Sequence, residues 1–211
     1  MMVGPKTEAT IEGLRRSLYA PDTAPGQLPD HPDSWPFFRP EDLRSAAVLV
    51  PIVMGSVAMP KPASVVLTVR ANGMDEHAGQ VALPGGRVHE ADLDMPATAL
   101  REAQEEIGLD PSRVEVLGLG SACITISGYR VVPVIGLVRC LADELALSPC
   151  QREVRAVFEL PLAHVMDRQQ YGRHRIDYQQ QTHHVLSLRS PCWPVWGVTA
   201  AVLSDVAARQ H

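Results

Sequence analysis

Residues 96–107 read Pro-Ala-Thr-Ala-Leu-Arg-Glu-Ala-Gln-Glu-Glu-Ile, and at 100° of rotation per residue such a segment divides into two faces. Leu100, Ala103 and Ile107 share a narrow arc and are expected to face a core. Glu102, Glu105 and Glu106 share another arc of about 100°. Asp94 is placed to cap the helix, Pro96 fits its first turn, where a missing N–H costs little, and Gly108 is placed to end it. Three carboxylates on one face repel one another, so something positive must offset them. Hard oxygen ligands at this density suit Mg²⁺ or Mn²⁺. The plainer reading is a solvated acidic face on which Arg101 pairs with Glu105. The upstream turn Pro84-Gly85-Gly86 favours the first, because paired glycines let backbone carbonyls approach an ion or a phosphate.

A helix with one apolar face needs a partner layer, and short β runs are there to supply it. Candidate strands are Ala47–Val53, Ser64–Arg70, Val114–Leu119, Val131–Val138 and His184–Leu188, with a second helix at Trp196–Ala208. Mixed strands with few helices predict an α/β (α+β) sandwich. Ahead of them, residues 7–19 carry Ile11, Leu14 and Leu18 at helical spacing. Six prolines (Pro21, Pro25, Pro29, Pro32, Pro36 and Pro40) then predict an extended strap, serving as a wrapping arm or a homodimer contact. The expected organisation is an arm over 1–45 and a domain over 46–211.

Charge and apolar patterning exclude several classes. A net charge of −5, from 19 basic and 24 acidic residues, argues against a nucleic-acid surface, but not against a small anionic substrate met through metal ions. The uncharged stretch Ser45–Pro60 is short for a membrane span and is broken by Pro51 and Gly55. With Lys6 and Glu8 near the start and no apolar leader run, a cytoplasmic protein is expected. Cys123, Cys140, Cys150 and Cys192 lack metal-finger spacing, so reduced, mostly buried thiols are expected.

The acidic helix and the turn before it resemble the signature box of the Nudix hydrolases: Gly86, five residues, Asp92, eight residues, then Arg101-Glu102-Ala103-Gln104-Glu105-Glu106-Ile107-Gly108-Leu109. One inserted residue and the Asp at 92 are similar to the coenzyme A pyrophosphatase subfamily. So are Leu67-Thr68-x-Arg70-Ala71, His77-Ala78-Gly79-Gln80-Val81, Gly128-Tyr129-Arg130 and Val195-Trp196-Gly197. Asp75, Glu76 and Leu83 depart from that subfamily, the first two being acids where it is basic.

The resemblance implies a Nudix α/β/α sandwich with a mixed sheet. It also implies a metal-dependent hydrolase cleaving the pyrophosphate of a small nucleotide-containing diphosphate. Coenzyme A or its thioesters come first as substrate; ADP-ribose, dinucleotides and nucleoside triphosphates stay open, as does a nucleotide sensor without turnover. It gives Glu102, Glu105, Glu106 and the carbonyl of Gly85 as ligands for Mg²⁺ or Mn²⁺. Glu102 or Glu105 takes the proton of the attacking water, and Arg101 joins this catalytic group by locking Glu105 or Asp92 in place. Arg70, His77, Arg87 and Tyr129 are the expected substrate-binding residues, and Arg130 a further compensating cation. Glu153 is either a general base or a surface glutamate, and His183-His184 point to opposite faces of a strand.

Overall fold

The computed structural model describes residues 5–35, 38–54, 62–73, 78–141, 145–178 and 180–209. Its strands, in chain order, are β1 (Arg44–Met54), β2 (Ser64–Arg70), β3 (Val81–Ala82), β4 (Gly85–Arg87), β5 (Val114–Leu119), β6 (Cys123–Ile124), β7 (Tyr129–Leu141), β8 (Val154–Pro161), β9 (Tyr171–Tyr178), β10 (Gln181–Leu188) and β11 (Val195–Trp196). The helices are α1 (Pro5–Ser17), α2 (Met95–Ile107), α3 (Leu162–Met166) and α4 (Val198–Ala208). One mixed sheet follows the path β3-β2-β1-β7-β5, with β4 on β1, β6 on β7 and β8 on β2. A second sheet runs β11-β10-β9. The large sheet is mixed because β1 and β7 pair in parallel, while its other pairings are antiparallel.

β1 is an almost unbroken apolar run because both of its faces are covered. Ala47, Leu49 and Val53 join the layer under α2, with Val132, Val134 and Val138 of β7. Val50, Ile52 and Met54 join the opposite layer, which α1, α3 and α4 cover through Leu14, Val165 and Leu203 among others. This is a helix–sheet–helix sandwich, the arrangement that the family resemblance implied. No helix among the described residues is long and apolar enough to cross a membrane.

α2 keeps its expected ends. Asp94 accepts a hydrogen bond from the Ala97 N–H at 2.7 Å, and Gly108 closes the helix in the left-handed region at φ 69°. Its buried face differs by one position: Ala99, Ala103 and Ile107 are buried, while Leu100 is half-buried at the edge. Two alanines let the helix approach β1 closely, and that turn brings Glu106 from the acidic face into the interior, where it is 6% exposed.

Other expectations need correction. The helix expected from Trp196 begins at Val198: Trp196 ends β11, and Gly197 turns the chain at φ 65°. α1 stops at Ser17 rather than residue 19. β8 and β9 stand outside the expected strands: β9 shows no regular alternation of apolar residues, while β8 sends apolar side chains to both layers, Phe158 and Leu160 to one and Val157 to the other. The described part of the proline-rich segment is less extended than expected: it holds 3-10 turns at Pro25–Gln27 and Pro40–Asp42 and two further turns, closed by the Thr23 N–H on the Ala20 carbonyl at 3.0 Å and the Ser34 N–H on the His31 carbonyl at 2.9 Å. Of the described thiols only Cys123 is buried; Cys150 is half-buried and Cys192 exposed, and all three are free.

Candidate active site

β4 is the piece that brings backbone and acids together. It pairs with β1 in the register Val48–Gly85 and Ala47–Gly86, leaving its other side to α2. A Cβ on Gly85 would lie 2.4 Å from the Ala47 carbonyl oxygen, and one on Gly86 would lie 2.5 Å from the Glu102 carboxylate. Both glycines are therefore required by closeness, for different reasons. Gly85→Ala strikes fixed backbone and is expected to cost about 1–3 kcal/mol of stability, as overpacking does. Gly86→Ala strikes the end of a flexible side chain. It is expected to fold normally but to lose activity on the order of a hundredfold, because a displaced carboxylate is a misplaced catalytic group. Thermal melting and turnover, measured on both variants, separate the two.

Glu106 accepts a hydrogen bond from the Gly85 N–H at 3.2 Å. Burial pushes its carboxyl up to about 7, with Glu102 and Glu153 adding to the rise and the Gly85 N–H and Arg70 opposing it. Burial also raises Glu102, against the pull of Arg101. Glu153 is exposed, yet its charge reaches Glu106.

Arg101 is the hub of the remaining charges. It forks onto Asp92 through Nε (2.9 Å) and Nη2 (3.0 Å), reaches Glu102 at 2.9 Å and Glu105 at 3.3 Å, and donates to the Arg87 carbonyl at 3.0 Å. Asp92 also accepts from the His89 N–H and the Thr98 hydroxyl, both at 2.9 Å. The hydrogen bond from Arg101 holds the Asp92 carboxyl far below the usual carboxylate range, and the same contact raises Arg101. The expected brace thus meets both carboxylates named for it, Asp92 through the fork and Glu105 through one nitrogen.

Of the four expected metal ligands, Glu102, Glu106 and Gly85 come together. Glu105 does not: its side chain is 58% exposed and leans on Arg101. Among the described residues no three acidic, histidine or cysteine side chains converge as a ready-made metal cluster. The donors that do meet are carboxylate and backbone oxygens, which suit a hard divalent cation. Such an ion would also offset the charge of two carboxylates that burial makes costly.

From this corner a cavity of about 360 Å³ opens, within the usual range for small-molecule sites. Arg70, Arg87 and Tyr129 all line it. Arg70 Nε and the Tyr129 hydroxyl are buried and have no hydrogen-bond partner among the described residues. The Arg44 and Arg87 guanidiniums lie 4.0 and 5.3 Å from the centre of the Tyr129 ring. His77 falls outside the described residues, as do Asp75 and Glu76. Arg130, expected as a further cation for substrate, is turned away: it holds Asp30 at 2.5 Å and the carbonyls of Pro25 and Leu28. His183 lies against Trp35, with ring centroids 4.7 Å apart. The far wall brings together Trp35, Ile176, Val185 and Trp196; of these Trp196 stands in a family-like segment and Val185 in an expected strand, but their meeting is not written in the sequence. No local spacing joins those positions.

A NUDIX domain is recognised over residues 43–176. The chain is 40% identical over 164 residues to the uncharacterized Nudix hydrolase NudL of Escherichia coli O7:K1, spanning 78% of this chain and 81% of that one. It is 39% identical over 169 residues to NudL of Shigella flexneri serotype 5b, spanning 80% and 84%. A MutT/nudix family protein from Enterococcus faecalis superposes with a TM-score of 0.48 at 16% identity, covering 82% of this chain and 62% of that one. The chain belongs to the Nudix hydrolase family, whose members generally use divalent metal ions.

Proposed function

We propose that this protein is a Mg²⁺- or Mn²⁺-dependent pyrophosphohydrolase of nucleoside diphosphates linked to a second group, with coenzyme A or its thioesters as the first substrates to test. The observation that carries the reading is the meeting of Glu102 and Glu106 with the Gly85–Gly86 backbone at the edge of a cavity that also holds Arg70, Arg87 and Tyr129. In this reading Glu102, Glu106 and the Gly85 carbonyl hold the cation, and Glu105 joins them on turning from Arg101. When bound, the cation neutralises charge on the phosphoryl oxygens and makes water a better nucleophile. Arg70 Nε and the Tyr129 hydroxyl, which lack partners among the described residues, supply donors to the diphosphate. Arg87 adds charge beside them, and Arg101 keeps Glu102 oriented while Glu102 or Glu105 accepts the proton of the attacking water.

The test is product chromatography with coenzyme A, its 3′-dephospho form, ADP-ribose, a dinucleotide and a nucleoside triphosphate, each with Mg²⁺, Mn²⁺ or EDTA. Turnover is expected only with the cation; unchanged turnover in EDTA sinks the reading, and binding without turnover makes the protein a sensor. Acids at positions 75 and 76, where the resembling subfamily is basic, would repel a nearby 3′-phosphate by about 1 kcal/mol per close pair even in a water-like dielectric. The preference for coenzyme A over its dephospho form is therefore expected to be weak and to rise on Asp75→Arg. A tenfold preference that Asp75→Arg leaves untouched refutes this.

A further inference from the structure

The cavity has two ends of different origin. The end at Gly85, Gly86 and Arg87 belongs to the family segment 43–176. A second stretch of the wall comes mainly from outside it: Trp35 from the proline-rich strap, and Val185, Leu186 and Trp196 from beyond residue 176, with Ile124 and Ile176 completing it. Backbone hydrogen bonds fix the strap there. The Ala122 N–H donates to the Pro29 carbonyl at 2.9 Å, the His31 N–H to the Ala122 carbonyl at 2.6 Å, and the Trp35 N–H to the Ile124 carbonyl at 2.9 Å. An Asp33–Arg173 ion pair ties the strap to β9. Trp35 meets the rings of His183 and Tyr178 edge-on, at 4.7 and 6.2 Å between centroids, which sets its own ring as part of the wall.

The charges are distributed unevenly. Among the described lining residues the charged ones are Asp33, Arg70 and Arg87. Arg87 adjoins Gly86 on β4 and the charge of Arg70 acts on Glu106, so both arginines belong with the diphosphate corner, while Asp33 pairs with Arg173. Among the described residues, this far stretch of wall therefore offers apolar and aromatic surface with no unpaired charge. Resting on the pyrophosphohydrolase reading, we infer that this far end is a subsite for an uncharged apolar group carried on the substrate's diphosphate, and that Trp35 is its specificity-determining residue. A second charged group there would lose its hydration with no partner, whereas each methylene taken out of water is worth about fourfold in affinity.

The experiment is calorimetric binding of non-hydrolysable α,β-methylene ADP esters (methyl, hexyl and benzyl) with Mg²⁺ present, alongside hydrolysis of the ordinary methyl ester. The hexyl or benzyl analogue is expected to bind at least tenfold more tightly than the methyl one. Trp35→Ala is expected to shrink that advantage below threefold while leaving the methyl Kd within twofold, and Trp35→Phe to restore most of it. Should Trp35→Ala fail to fold, Val185→Asp takes its place, with the same loss expected from a charge set in the wall. Equal affinity for all three esters, or an advantage that survives both Trp35→Ala and Val185→Asp, overturns the subsite. A methyl ester left uncleaved counts against the hydrolase reading instead, and the affinity ladder is read independently of it.

Discussion

Glu106→Gln is expected to lower turnover by at least about a hundredfold, the lower scale for losing a ligand or acid–base group, while making the metal-free protein more stable above neutral pH. Both effects come from one carboxylate, 6% exposed and pushed up to about 7 by burial. In the unfolded chain it ionises near 4.5. Between those values the folded form holds the proton more tightly, so the stability of the metal-free wild type falls as pH rises from about 4.5 and levels off above about 7. A gap of two to three pH units corresponds to roughly 3 kcal/mol. Glutamine cannot ionise, so its curve should lack this fall. Melting of both proteins in EDTA from pH 4.5 to 8.5 checks it: a wild-type curve with no fall, or a variant that melts lower at pH 8, removes the argument. Added Mg²⁺ should raise the wild type at pH 8 and leave the variant nearly unmoved, since a ligand for the folded state stabilises by mass action.

Arg101→Ala is the second large expectation, here on stability. The Asp92 side chain is only 6% exposed and relies on the Arg101 fork for its charge partner. Removing the guanidinium leaves that charge beside Glu102 without its partner; because both residues of the pair, taken whole, are only partly buried, the cost is expected at about 1–3 kcal/mol, below the scale of a fully buried pair. Arg101→Lys keeps the charge but loses the planar fork and should fall between the two. Urea denaturation near pH 7 measures the loss; less than about 1 kcal/mol for Arg101→Ala would falsify the brace. Because Asp92 lies below its unfolded pKa, its contribution is present at neutral pH and disappears only in acid.

Sequence legibility followed the range of the forces involved. Local chemistry was readable: Asp94 and Gly108 bound α2 as expected, and β2 and β5 match their expected limits at Ser64–Arg70 and Val114–Leu119. The facing acids were readable too, since three positions on one helical arc need no tertiary information. Position 99 was not, because which side of α2 lies deepest depends on how closely β1 lets two alanines approach. β9 carries mostly exposed residues and so no apolar alternation to find. Arg130 looked like a spare cation beside a motif, yet its partners at Pro25, Leu28 and Asp30 lie about a hundred residues earlier. The cavity's outer wall failed to appear for the same reason, being assembled from positions 35, 124, 176, 185 and 196.

The parallel pairing of β1 with β7 joins Arg44 to Tyr129 and Val53 to Val138, and α2 with the glycine turn lies inside the chain loop that this pairing closes. Such long-range closure is entropically costly and is slow to form. α2 can form as a helix early from its own caps, but Glu106 cannot be buried against Gly85 until β4 and β7 have both docked on β1. Catalytic competence is therefore a late event on the folding route, and regained turnover should lag behind regained helical signal when the unfolded chain is returned to native conditions.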